Sequence, residues 1–163
     1  ECKHQAVGTD TGYLHIPEIN YHQKGNYGGI SIGHFTKGNK VELIKLDVLI
    51  NLPKINFIKI DVEGMEHSVI SGAINVINKY KPFLYVENDR LEKSKELIKL
   101  IRSLGYRIFW HKPPLYNPNN YTNDVENLYP GIVSINMLCI HSSLKITLPL
   151  YENNDPNYHP LYK

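Results

Sequence analysis

The apolar positions of this chain change their period along its length, and the changes mark out elements. Residues 3–7 read as a short strand, followed by turn chemistry at Gly8-Thr9-Asp10-Thr11-Gly12. Residues 13–16 alternate and form a second strand that could pair back on the first as a hairpin. A polar loop with Gly25, Gly28 and Gly29 covers 20–29, and alternation returns over 41–46. Residues 48–52 form a short apolar segment of about one helical turn, closed by Pro53. The run 55–62 is again a strand. The period then becomes helical over 66–78, with Val69, Ile70, Ala73, Val76 and Ile77 on one face. Lys81-Pro82 stops that helix and opens a strand over 83–86. A second amphipathic helix spans 92–104, with Leu97, Ile98, Ile101 and Leu104 inward and Gly105 as its stop. Strands follow at 106–110 and 135–141, separated by a long loop over 115–130 rich in Asn, Pro and Tyr.

Strand–helix alternation from residue 55 onward predicts an α/β fold with a mostly parallel sheet and covering helices. The last strand follows a loop without a clear helix, so it can run antiparallel. There is no internal repeat and no sign of a second domain. The residues beyond Ser142 are expected to be loosely structured.

The chemistry concentrates in Phe57-Ile58-Lys59-Ile60-Asp61-Val62-Glu63-Gly64-Met65-Glu66. On a strand, Lys59, Asp61 and Glu63 share one face and Ile58, Ile60 and Val62 the other. Ionisable groups on a strand buried between helices cost stability unless paired, solvated or useful. They also sit where a parallel strand ends and a helix begins, the place where open α/β sheets bind ligands. The next strand ends in acid too, at Glu87. Adjacent parallel strands end on the same side, so Asp61, Glu63 and Glu87 should converge at one rim. Clustered carboxylates can bind a metal, act as a general base or accept hydrogen bonds from hydroxyls. The plainer alternatives are an internal Lys–carboxylate pair, acids favoured at a helix start, and solvated strand ends.

Other motifs are missing. No H-x-x-x-H or C-x-x-C pattern points to a histidine or cysteine metal site. His67 could join the acidic rim but reads as a surface residue, and His34, His111 and His141 as bland loop or strand-end residues. Gly28-Gly29-Ile30-Ser31-Ile32-Gly33 lacks dinucleotide-loop spacing, and its glycines serve turns or the close approach of a ligand. No nucleophile elbow occurs.

Composition narrows the classes further. The 163 residues carry a formal net charge of +2, spread along the chain, which gives no field for nucleic acid or an anionic membrane. No apolar run is long enough to span a bilayer. Cys2 and Cys139 make no disulfide framework, which points to a reducing compartment and a cytoplasmic location. The chain opens at Glu1 inside a strand-like pattern, which is expected of a piece of a longer protein.

Taken as a set, Lys45-Leu46-Asp47, the block from Phe57 to Glu66, Val69-Ile70-Ser71-Gly72-Ala73 and the strand from Pro82 to Glu87 resemble the FkbM family of S-adenosylmethionine-dependent methyltransferases. That family shows a Leu-Asp pair, an I-K-x-D-x-E-G-x-E block, an L-x-G-A helix and a strand ending in Glu. The resemblance implies a class I methyltransferase fold: a Rossmann-like, mostly parallel sheet with one antiparallel strand and helices on both faces. On this mapping residues 2–7 are the third strand, 57–61 the fourth and 83–87 the fifth. The two amino-terminal strands and the Gly-rich cofactor loop are absent. Residues 1–144 would then be a partial methyltransferase domain and 145–163 a loose tail.

The implied cofactor is S-adenosylmethionine, and the implied reaction is methyl transfer to a hydroxyl oxygen of a sugar or small metabolite, with a small molecule or glycan as partner. Asp61 would face cofactor and acceptor, Glu63 and Glu87 would orient or deprotonate the hydroxyl, and Lys59 would pair with an acid and set its pKa. No resident metal is implied, and this chain by itself is expected to be inactive. Two other readings stay open. One is a metal-dependent glycosyltransferase using Asp61-x-Glu63; the other is a non-catalytic remnant or interaction module.

Overall fold

The computed structural model describes residues 1–31, 35–49 and 51–162. Ile32, Gly33 and His34, which include part of the glycine loop, lie outside the described residues. The chain folds as two sheets. The smaller contains β1 (Gln5–Val7), β2 (Gly12–Ile16) and β3 (Asn39–Ile44) in the order β1-β3-β2. The larger contains β4 (Phe57–Ile60), β5 (Phe83–Glu87), β6 (Tyr106–His111), β7 (Asn136–His141) and β8 (Glu152–Asn153) in the order β4-β5-β7-β6-β8. The helices are α1 (Leu46–Leu49), α2 (Glu66–Ser71), α3 (Ile74–Tyr80) and α4 (Leu91–Ser103).

The α/β reading holds, but the sheets are mixed rather than mostly parallel. β4 and β5 run parallel, whereas β7 is antiparallel to both β5 and β6 and β8 is antiparallel to β6. The reversal of β7 follows from the chain route. The loop over 115–130 carries no crossover helix, and an antiparallel return needs none. The helices are also placed differently from expectation. Val69, Ile70, Ala73 and Ile77 of the α2–α3 region and Leu97, Ile98 and Ile101 of α4 form one core with Ile60, Leu84, Val86, Ile108, Met137 and Cys139. By strand alternation those sheet residues share one face. Among the described residues, the helices therefore cover one face of the larger sheet. The other face carries Lys59, Tyr85 and Glu87.

β1 does not form a hairpin with β2, nor does it join the larger sheet as its third strand. It lies parallel to β3, and β2 pairs antiparallel to the other edge of β3, with Leu14 opposite Val41. β3 is the longest of the three and alternates, so it supplies both pairing edges while Val41 is buried on one face.

The helical segment expected over 66–78 breaks into α2 and α3 at Gly72-Ala73. The reason lies in close approach. A Cβ on Gly72 would lie 2.0 Å from the carbonyl oxygen of Gly8, so only glycine lets the end of β1 meet the end of α2. Gly105 (φ 83°) ends α4 as expected, its N–H donating to the Arg102 carbonyl at 2.9 Å. Residues 145–163, expected to be loose, include β8 on the edge of β6 and the buried side chains Asn153 and His159. Cys2 is exposed and Cys139 buried, and neither is in a disulfide.

Candidate active site

β4 and β5 are parallel neighbours, with Lys59 in register with Tyr85. Their carboxyl ends therefore open on the same side. Asp61 follows β4 directly and Glu87 is the last residue of β5. Glu63 reaches the same rim by a different route from the one its spacing suggests. The strand stops at Ile60, and Glu63 adopts a left-handed conformation (φ 51°) followed by Gly64 (φ 91°). A non-glycine residue there is unusual and is held by its surroundings. The hold is visible. The buried Glu66 carboxylate accepts N–H bonds from Gly64 (2.9 Å) and Val62 (3.4 Å), and Lys93 Nζ donates to the Gly64 carbonyl (2.8 Å). Ser31 Oγ donates to the Glu63 carbonyl (2.7 Å), which ties the glycine loop to the same turn.

Carboxylate oxygens of Asp61, Glu63 and Glu87 lie within 4.8 Å of one another. Each is handled differently. Lys59 Nζ donates to Asp61 Oδ2 at 2.6 Å, which holds the Asp61 carboxyl below its usual range and raises the Lys59 ammonium. Glu63 Oε2 accepts from the Arg90 guanidinium at 2.7 Å, and Arg90 Nε is 3.5 Å from Asp89. Among the described residues, no cation lies within ion-pair distance of Glu87, although the Lys59 ammonium feels its charge. Burial, then the neighbouring Asp61 charge, pushes the Glu87 carboxyl up to about 7. Its Oε2 is sealed from solvent and has no hydrogen-bond partner among the described residues. A proton on Glu87 resolves this, because the pair Asp61–Glu87 then becomes a carboxyl–carboxylate hydrogen bond. An ionised acid beside one that titrates near neutrality is an arrangement suited to holding and releasing a proton.

A cavity of about 410 Å³ opens beside Asp61 and Glu63, between the turn and the smaller sheet. Leu14, Ile16, Ile19, Ile30 and Met65 give it apolar walls, and Gln5 adds a side chain whose Oε1 is buried without a donor among the described residues. The polar groups facing this space are thus mostly acceptors, which suits a ligand that is cationic or rich in donors.

Several site residues have no signal in the sequence. Arg90 and Lys93 come from the start of α4 and fix the turn carrying Glu63. Tyr85 shares the face of Lys59 and Glu87, and its hydroxyl lies 2.8 Å from Nδ1 of His111, the last residue of β6. Glu66, the acid in the first turn of α2, also staples the turn over 62–64. His67 is exposed and stands apart, within reach of Ser71. Of all these, only Glu66 belongs to a legible motif. The others meet across long separations in sequence.

The fold and rim define an α/β protein with an acidic site at the carboxyl ends of two parallel strands, beside an apolar cavity. The methyltransferase FkbM domain matches residues 3–108, and the chain belongs to that family of methyltransferases. No curated protein and no solved structure matches it. The match ends within β6, so β7, β8 and the tail lie outside it. No helix among the described residues is long and apolar enough to cross a membrane.

Proposed function

We propose that this chain carries the acceptor rim of an S-adenosylmethionine-dependent O-methyltransferase acting on a hydroxyl of a sugar or small metabolite. The observation that carries the reading is the placement of Glu87 at the end of β5, beside Asp61 at the end of β4, where burial and then the Asp61 charge push its carboxyl up to about 7. Family membership supports methyl transfer in general. The reversed β7 within the β4-β5-β7-β6 order fits the one antiparallel strand of a class I sheet.

The residues present fit the cofactor chemically. Its sulfur is cationic, its base is flat and apolar, and its ribose and amines donate hydrogen bonds. The cavity offers apolar walls, the carboxylates of Asp61 and Glu63, and the buried Gln5 Oε1. When bound, S-adenosylmethionine supplies an electrophilic methyl group. Asp61, kept ionised by Lys59, faces that positive charge and also accepts a hydrogen bond from the acceptor hydroxyl. Glu87 takes the hydroxyl proton as the oxygen becomes a nucleophile, which its near-neutral titration permits. Glu63, locked by Arg90, orients rather than deprotonates. Alignment of the reacting atoms contributes more than basicity in such a transfer, so the rigid turn over 62–64 is part of the apparatus.

The test is transfer of a labelled methyl group to a panel of monosaccharides and glycosides, run by the whole protein in excess chelator. Label in the acceptor supports the reading. Activity seen only with Mn²⁺ and a nucleotide sugar would instead establish the glycosyltransferase reading, which the convergence of three carboxylates favours.

A further inference from the structure

The carboxy-terminal strap lies outside the family match, yet one of its side chains reaches the end of the strand that carries Glu87. Asn88 follows Glu87 and is buried. Its N–H donates to the Ile135 carbonyl (2.8 Å), and its Nδ2 contacts Ser94 Oγ (2.9 Å) and Met137 Sδ (3.2 Å). Its carbonyl is met by His159 Nε2 at 2.9 Å, across 71 residues of sequence. His159 is 3% exposed, and its other ring nitrogen accepts the Leu161 N–H at 3.3 Å. Both nitrogens are therefore committed, and the partners specify one tautomer: Nε2–H donating to Asn88, Nδ1 accepting from Leu161.

The strap is anchored independently of that bond. β8 pairs with β6, the Trp110 N–H donates to the Tyr151 carbonyl (3.0 Å), and the Arg102 guanidinium donates to the carbonyls of Asn153 and Asn154. The His159 ring packs edge-on against Trp110 at 5.3 Å and lies 6.3 Å from the Tyr162 ring. A seat this well built presents one donor to one buried carbonyl, and that carbonyl belongs to the Asn88–Asp89 peptide, one residue beyond Glu87. Two residues further on, Arg90 clamps Glu63.

We propose that His159 is a positioning residue: through the Asn88 carbonyl it fixes the Glu87–Arg90 segment and hence the spacing of the acidic rim. The rim's role in catalysis rests on the methyl-transfer reading, but the positioning does not. Without the His159 donor, the Asn88 peptide has an unpaired carbonyl in a buried place and turns to find water. Glu87 then gains solvent and moves away from Asp61.

The experiment follows the Glu87 carboxyl by carbon-13 NMR titration in the whole chain, comparing the natural protein with His159→Leu and His159→Gln. Leucine keeps apolar bulk without a donor, and glutamine places an N–H near the position of Nε2. The Glu87 midpoint is expected to fall by roughly one pH unit in His159→Leu and to return toward its original value in His159→Gln. A general loss of stability would not move the midpoint of the folded molecules. A folded His159→Leu with an unchanged midpoint overturns the proposal. If His159→Leu does not fold, His159→Phe decides: it keeps a ring against Trp110 but has no donor for the Asn88 carbonyl. A lowered midpoint there supports the proposal and an unchanged one overturns it. No methyl donor takes part, so failure of the methyl-transfer reading shows separately, in the chelator assay.

Discussion

Asp47 caps a helix that begins 27 residues after it. Its Oδ1 accepts the Val76 N–H at 2.8 Å and its Oδ2 the Asn75 N–H at 3.1 Å, the second and third residues of α3. The residue at the α3 N-cap is Ala73, which has no side chain able to do this. The Asp47 N–H in turn donates to the Gly72 carbonyl at 2.9 Å. Two short motifs, Leu46-Asp47 and Gly72-Ala73, are thus halves of one device. It lets the helix restart after the break that Gly8 imposes on it.

Asp47→Ala is accordingly expected to destabilise the fold by about 1–2 kcal/mol, the usual range for losing an N-cap. Asp47→Asn, which keeps one acceptor oxygen, should recover part of this. Urea unfolding of the three proteins measures it. Equal stabilities would mean that water caps α3 as well as Asp47 does.

What could be read from the sequence follows from which forces are local. Leu97, Ile98 and Ile101 repeat at helical spacing and Gly105 sits at the end, so α4 is legible to within a residue or so. Alternation marks β4, the apolar run after Pro82 marks β5, and two parallel neighbours ending in acid place Asp61 and Glu87 together. The break at Gly72 was not legible, because the apolar period runs straight through it and its cause is a carbonyl 64 residues away. Glu63 was assigned to the strand face because alternation cannot foresee a left-handed residue. Arg90, the Tyr85–His111 pair and the strap residue His159 all depend on meetings between distant segments. A tail rich in Asn, Pro and Tyr reads as loose until Trp110 and Asn88 are seen to receive it.

The titration of Glu87 makes stability depend on pH in a definite direction. Its free carboxyl titrates at 4.5 and the folded one at about 7. Between these values the folded chain holds a proton that the unfolded chain has lost. The contribution is therefore fully present below 4.5 and is lost as pH rises through about 7. Asp61, held below its ordinary 3.8, acts in the opposite sense, but only at more acid pH. Glu87→Gln keeps a neutral side chain at every pH. It should flatten the decline in melting temperature between those two pH values, and at higher pH it should be more stable than the natural protein, by an amount on the order of 1 kcal/mol after solvent screening. Parallel melting curves for the two proteins across this range would contradict the Glu87 assignment.

Asp61 separates function from folding most cleanly. Its side chain is 40% exposed and that of its partner Lys59 58%, so their ion pair contributes little to stability despite its 2.6 Å contact. Its charge acts on Glu87 more strongly, because after burial it is the next cause that raises the Glu87 carboxyl. Asp61→Asn removes the neighbouring negative charge while keeping the shape. The Glu87 titration should then fall part of the way toward that of an ordinary carboxyl, because burial, the larger cause, remains. Methyl transfer in the whole protein should drop by on the order of a hundredfold, the scale of losing one preorganised electrostatic group. The melting temperature should change little. Turnover, Glu87 titration and thermal unfolding measured on the same preparation test all three. Near-normal turnover with a large fall in melting temperature would make Asp61 a structural residue and move the chemistry elsewhere.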